Sequence, residues 1–178
     1  MDFQTLIESR RSVRAYDADK MVTEEQVKEI IEAAIQAPSW KNSQTARYHV
    51  VLDADMRAKF TAECLPAFNA KNSENAALVV TTFVANRAGF NREGVADNEC
   101  GNGWGYYDLG LHNENFVLKA KEMGLDTLIM GIRDGEKIRE VLNIPEQETI
   151  VAVIALGYGT QNPDKPKRKT ADDIVKFY

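Results

Sequence analysis

Cysteine and histidine are scarce in this chain, with two of each among 178 residues. Cys64 and Cys100 lie far apart and form no CxxC or Cys/His ligand spacing. Neither a disulfide framework nor a zinc site is therefore expected, and a reducing cytoplasm fits best. Long apolar runs are also missing: the most apolar stretch, AALVVTTFVA, is too short to span a bilayer. The N-terminal MDFQTLIESR lacks the cationic segment and apolar core of a signal peptide. Basic surface is scarce too. A formal net charge of -5 and a pI near 5.2 argue against a nucleic-acid or anionic-membrane partner, since either calls for cations across a whole face. No GxxxxGK[ST] and no G-x-S-x-G occurs, which removes the P-loop and the nucleophile elbow and leaves Ser39 a weak nucleophile candidate. GNGWGYYDLG contains a G-x-G-x-G, but it follows a loop instead of a strand and lacks dinucleotide-fingerprint spacing.

What is present suits one globular domain over residues 1–178: 44% of the residues are hydrophobic and 28% charged. Apolar periodicity and a Thr23/Gln26 capping box predict a helix over Thr23–Gln36, stopped by Pro38. A short helix is expected over Asp2–Ser9 and another from about Ala54 to Leu65. Tyr106–Met123 reads as a long helix with Leu109, His112, Phe116, Ala120 and Met123 on one stripe and Gly124 beyond its end. Asp134 caps a helix through Leu142. Strands are expected at Arg47–Asp53, Ala76–Ala85, the segment TLIMG and Thr149–Tyr158, the last fully buried by its unbroken apolar run. Asn86–Gly105 holds five glycines and reads as a lid or binding loop, or else as disordered. His49 and His112 read as a surface and a core-edge residue, and Cys64 as a small core residue. From Gly159 the tail is polar and proline-punctuated, and is expected to reach a partner chain. Strands scattered among long helices make an α+β sheet with helical layers.

The basic residues concentrate at two places: Arg10, Arg11 and Arg14 in RRSVRAYD, and Lys165, Lys167, Arg168 and Lys169 in the tail. Val13 and Tyr16 favour an extended backbone for the first stretch. The arginine fork suits phosphate and carbonyl-rich heterocycles, and its charge persists at any relevant pH. The alternative is a solvated helix end balancing an acidic surface, and residue types alone do not separate the two.

RRSVRAYD resembles the R-R-S-[VIT]-R-x-[FY] motif of the nitroreductase family of flavoenzymes, and APSWKNSQTARYHVV resembles its A-P-S-x-x-N-x-Q-P-x-x-F block. FNAKNSENAALVV, GLDTLIMG, IVAVIALGYG and the basic KPKRK continue the pattern in register along nearly the whole chain. The resemblance implies an α+β, nitroreductase-like fold: a central, mostly antiparallel sheet flanked by helices, in a domain-swapped homodimer with FMN at the interface. Residues 159–178 would then be an arm crossing to the partner. By position, Arg10, Arg11 and Ser12 would hold the FMN phosphate and ribityl end or the pyrimidine edge, with Arg168 joining the phosphate. Arg14 would lie near N1 and O2. Pro38, Ser39, Trp40, Asn42 and Gln44 would come from the partner, Asn69 would bond the pyrimidine side, and the backbone at Met130 and Gly131 would face N5.

This layout has a physical sense. Two-electron reduction leaves negative charge at flavin N1 and O2, so a fixed cation there stabilises the reduced form and raises its potential. The chemistry then belongs to the cofactor, and no side chain need act as nucleophile or base. Departures from the family pattern touch substrate choice: Met130 stands where many members have glutamate, Thr45 replaces a proline, and Asn72 replaces a lysine beside Lys71. The loop Asn86–Gly105 substitutes for a longer helical excursion, and Phe90 and Trp104 are expected to line a slot for planar ligands. The reading is an FMN-dependent oxidoreductase using NADH or NADPH in ping-pong hydride transfer to a nitroaromatic, quinone or similar small-molecule acceptor. The competing reading is a flavin-binding carrier or sensor without turnover.

Overall fold

The computed structural model describes residues 1–178. Its elements are α1 (Phe3–Ser9), α2 (Glu24–Ala34), β1 (Ala46–Val51), α3 (Ala54–Cys64), α4 (Ala67–Asn72), β2 (Ala77–Val84), α5 (Gly103–Glu122), β3 (Asp126–Met130), α6 (Gly135–Leu142) and β4 (Glu148–Gly157). The four strands form one sheet in the order β1-β2-β4-β3, and every pairing is antiparallel. This is the α+β arrangement expected from the sequence. No helix is long and apolar enough to cross a membrane.

Alternation along the central strands builds two cores, one on each face of the sheet. Leu78 and Val80 of β2, with Val153 and Ala155 of β4, join Phe60 of α3 and Ile138 of α6. Ala77, Val79, Ile154 and Leu156 face the other way, onto Ile30 of α2 and Phe116 of α5. With helices on both faces, neither central strand can show polar alternation, so an antiparallel sheet here carries the unbroken apolar runs usual for parallel ones. Of the predicted stripe, Leu109, His112, Phe116 and Ala120 are buried, while Met123, the C-cap residue just past α5, is only partly so.

Local signals set the element ends. Thr23 and Gln26 exchange the two bonds of the capping box, Gln26 N to Thr23 Oγ1 at 3.2 Å and Thr23 N to Gln26 Oε1 at 3.0 Å. Asp134 accepts from Lys137 N at 3.0 Å to start α6, and Gly124 at φ 77° ends α5 in the left-handed region. Two expectations need correction. The long loop is shorter than its composition suggests, because α5 begins at Gly103, three residues before Tyr106. Gly105 lies inside that first turn against the Phe83 ring, so its glycine serves close packing and not loop flexibility. The second is α4, which no sequence periodicity announced: six residues are too few for a stripe, and only Pro66 at its N-cap marks it.

Candidate functional site

The extended stretch after α1 docks on the free edge of β3. Val13 N donates to Thr127 O at 3.0 Å, and Ser12 forms a parallel bridge with Thr127. Further along, Tyr16 pairs with Gly159, Asp17 N donates to Tyr158 O at 2.9 Å, and Thr160 N donates to Ala15 O at 3.0 Å. Tyr16 locks this run: it is buried, its hydroxyl donates to Val13 O at 2.9 Å, and burial raises its phenol pKa. A Cβ on Gly157 would meet Tyr16 Cδ1 at 2.9 Å, so the ring requires glycine there.

The arginines are thereby held at the sheet edge. Arg11 Nη1 donates to Glu8 O at 2.6 Å and to Arg10 O at 2.8 Å, while its Nε is buried without a partner. Arg14 Nη1 reaches only Ser12 O, at 3.2 Å. Arg10, Arg11, Arg14 and Arg168 have no carboxylate within ion-pair distance. Lys165 does pair with Glu8 at 3.6 Å, which brings the basic tail beside the end of α1. At the end of β3, the Met130 side chain is buried in the core, and Gly131 is open, with no atom within 4 Å of a Cβ built there. Asn69, on α4, is also buried and donates Nδ2 to Ile132 O at 2.8 Å, which ties α4 to the backbone one residue past Gly131.

The second group of predicted residues lies elsewhere. Pro38, Ser39, Trp40, Asn42 and Gln44 precede β1, at the opposite edge of the sheet from Arg10–Arg14. Counting one strand spacing from Ser12 to β3 and three more to β1, the two groups are roughly 19 Å apart across the sheet. The two groups of predicted residues are therefore not brought together within the chain.

This second segment is tightly wound. Lys41 (φ 48°), Asn42 (φ 55°) and Gln44 (φ 49°) all occupy the left-handed region without being glycine. Ser39 is structural, since its Oγ accepts from Gln44 N at 3.1 Å. The other anchor was not anticipated: Asp108 Oδ2 accepts from Trp40 N at 2.8 Å. Asp108 is buried, and burial holds its carboxyl above the usual aspartate range against the lowering effect of the Trp40 N–H and of His112. His112, one helical turn along, is buried too, and burial depresses its pKa. The available signal was an Asp and His at i, i+4 on the apolar side of a long helix.

The Trp40 ring lies 4.4 Å from that of Trp104, which contacts Tyr107 edge-on at 5.7 Å. Trp104 and Phe90 thus lie near the predicted binding segment. Asn86–Gly105 is held by its own hydrogen bonds, such as Asp97 N to Gly89 O at 2.8 Å and Trp104 Nε1 to Asn98 Oδ1 at 3.0 Å. Of the two histidines, His49 departs from the surface reading: it is half-buried and meets Glu148 Oε2 at 2.7 Å. Burial works to raise the Glu148 pKa, but hydrogen bonds from Thr82 and His49 outweigh it and leave the carboxyl below its usual value. Cys64 is a core residue, and burial pushes its thiol up to about 11, far from reactivity at neutral pH.

Comparison with known proteins agrees with the fold and the motif order. The sequence model described as the nitroreductase family matches residues 7–158. An NADPH-flavin oxidoreductase of Vibrio harveyi is 30% identical over 171 residues, covering 94% of this chain and 70% of that protein. An NADH dehydrogenase of Thermus thermophilus is 29% identical over 200 residues, covering 98% and 95%. Among solved structures, a nitroreductase-like protein of Exiguobacterium sibiricum 255-15 in complex with FMN superposes with a TM-score of 0.82 at 22% identity, covering 100% and 98%. Since the family match spans most of the chain, this protein belongs to the nitroreductase family.

Proposed function

We propose that this protein is an FMN-dependent NAD(P)H oxidoreductase that acts as a homodimer and reduces nitroaromatic, quinone or similar planar acceptors. One observation carries the reading. On a chain of net charge -5, Arg10, Arg11 and Arg14 stand without carboxylate partners on one short stretch docked at a sheet edge whose strand ends in open backbone at Gly131. The residues fit an anionic, planar cofactor, because Arg11 Nε is buried without a partner and none of the arginine charges is neutralised by a carboxylate.

Bound FMN would supply two-electron transfer between nicotinamide and acceptor. The chain binds and tunes it. Arg10, Arg11 and Ser12 hold the phosphate and ribityl side, and Arg168 reaches the same anion on the tail that Lys165 anchors to Glu8. Arg14 keeps a positive charge where reduction leaves a negative one. Asn69 has its Nδ2 committed to Ile132 O, so its Oδ1 remains to accept from an imide N–H of the ring. Met130 offers backbone alone, because its side chain is buried, while Gly131 leaves the approach to the ring clear. Pro38, Ser39, Trp40, Asn42 and Gln44 lie too far away in the same protomer to share this ligand. A second copy supplies them, and the arm 159–178 with its exposed Ile174, Phe177 and Tyr178 crosses to hold it.

The test is an absorption spectrum of the purified protein followed by anaerobic titration with NADH and with NADPH. Bleaching of the flavin band by either donor, and recovery on adding a quinone, is the expected result. Flavin that stays oxidised with both donors in excess refutes turnover and favours a carrier or sensor.

A further inference from the structure

A cavity of about 660 Å³ opens between the turn at Trp40–Ser43 and the segment Asn86–Gly94. That volume suits a small organic ligand. Its lining is basic in an acidic protein: Lys41, Arg87 and Arg92 face one carboxylate, Glu93. Lys41 is neutralised by Asp97 at 2.7 Å, whereas Arg87 and Arg92 have no carboxylate within ion-pair distance. Two lining residues also carry buried donors without partners, Trp40 Nε1 and Ser43 Oγ. Native proteins leave few such atoms unpaired, and here both belong to residues of a wall shared with Arg87, Arg92 and the Phe90 ring. The walls are preformed. Asn86 and Asn102 exchange hydrogen bonds, Asn86 N to Asn102 Oδ1 at 2.7 Å and Asn102 Nδ2 to Asn86 Oδ1 at 3.0 Å. Asn91 Oδ1 accepts from Glu93 N at 3.0 Å and Val95 N at 2.9 Å. A ligand entering would therefore meet little ordering cost.

We propose that this cavity binds a planar aromatic carboxylate, its ring against Trp40 and Phe90 and its anionic group on Arg87 and Arg92. Trp40 belongs both to this wall and to the segment assigned to flavin. Resting on the oxidoreductase reading for the ligand's fate, the proposal makes a nitro group on the aromatic acid the electron acceptor: two electrons from NAD(P)H, delivered through the flavin, and two protons break one N–O bond, giving the nitroso compound and water while the carboxylate stays on the arginines.

Binding is measured first, by quenching of tryptophan fluorescence in the full-length holoprotein titrated with 4-nitrobenzoate and with neutral 4-nitrobenzyl alcohol. The wild type should bind the nitrobenzoate more tightly. Arg87→Ala/Arg92→Ala should weaken nitrobenzoate binding about tenfold and leave the alcohol unmoved. Arg87→Lys/Arg92→Lys keeps the charge and should keep most of the affinity, which separates lost charge from a damaged loop. In turnover, the KM for nitrobenzoate should rise by a similar factor with kcat little changed. Equal affinity for the two probes, or nitrobenzoate binding unaffected by the alanine pair, overturns the proposal. A loss confined to NADPH also overturns it, because the arginines would then serve the donor's phosphate. If neither nicotinamide reduces the flavin, the oxidoreductase reading fails while the fluorescence titration still decides the site.

Discussion

Removing the Asp108 carboxylate should loosen the one segment of the candidate site that is wound against its own backbone preferences. Lys41, Asn42 and Gln44 each sit at positive φ, where a non-glycine residue costs on the order of 1 kcal/mol or more. The hydrogen bond from Trp40 N to Asp108 at 2.8 Å is the long-range tie at the head of this turn, joining it to α5. A hydrogen bond to a charged group contributes about 1.5–3 kcal/mol, but Asp108 also opposes folding through its buried charge, seen in its raised pKa. Asp108→Ala should therefore destabilise the protein by about 2 kcal/mol, a Tm drop of roughly 4–8 °C for a chain of this length. Asp108→Asn keeps an acceptor for Trp40 N and removes the buried charge, so it should lie close to the wild type. Flavin affinity should follow the same order, measured by fluorescence of free FMN on dilution of the protein. If Asp108→Ala melts with the wild type and holds FMN equally well, then Ser39 and local packing suffice to hold the turn. An Asn variant as damaged as the Ala variant would show that the charge matters and not the acceptor.

Arg14→Ala should lower the flavin reduction potential by about 20–40 mV, equivalent to roughly 1–2 kcal/mol for a two-electron couple. Spectroelectrochemistry with an unchanged potential would remove Arg14 from its tuning role. Deleting the chain from Gly159 onward should weaken the dimer and release FMN together, because subunit and cofactor binding are linked; a truncated protein that sediments as a dimer and stays fully yellow contradicts this. His112 has a folded pKa depressed by burial, so its contribution to stability is present above the unfolded value of 6.5 and is lost as pH falls through the lower folded value. Tm measured against pH should accordingly fall on the acid side of 6.5, and His112→Gln should flatten that part of the curve. Asp108 acts oppositely, its contribution fading as pH rises from 3.8 through its raised folded value, so the two effects overlap only in acid.

The parts of the fold that were legible in sequence are those dictated by neighbours along the chain. The capping box at Thr23, the cap at Asp134, the stop at Gly124 and the apolar run of β4 all state their structure locally. The candidate site was legible in a different way, through motif order, and that route has a characteristic blind spot. A motif names the residues that touch a ligand and omits the ones that hold them in place. Asp108 is such a residue: it lies 68 positions from Trp40, and no rule of spacing connects a helix interior to a turn that distant. Asn69 was named by its motif, but its bracing of the backbone past Gly131 from 63 residues away was not legible there. The pairing of Arg87 and Arg92 with Trp40 and Phe90 escaped for a related reason, since glycine-rich composition reads as freedom until the Asn86–Asn102 exchange is seen to remove it. Long-range hydrogen bonds from buried polar side chains are what convert a set of ligand-binding residue types into a preorganised geometry. In this protein the Asp108 bond fixes the strained Trp40 turn at one edge of the sheet, while backbone pairing of Ser12 and Val13 with Thr127 fixes the arginine stretch at the other, and the proposed dimer is what would bring the two together.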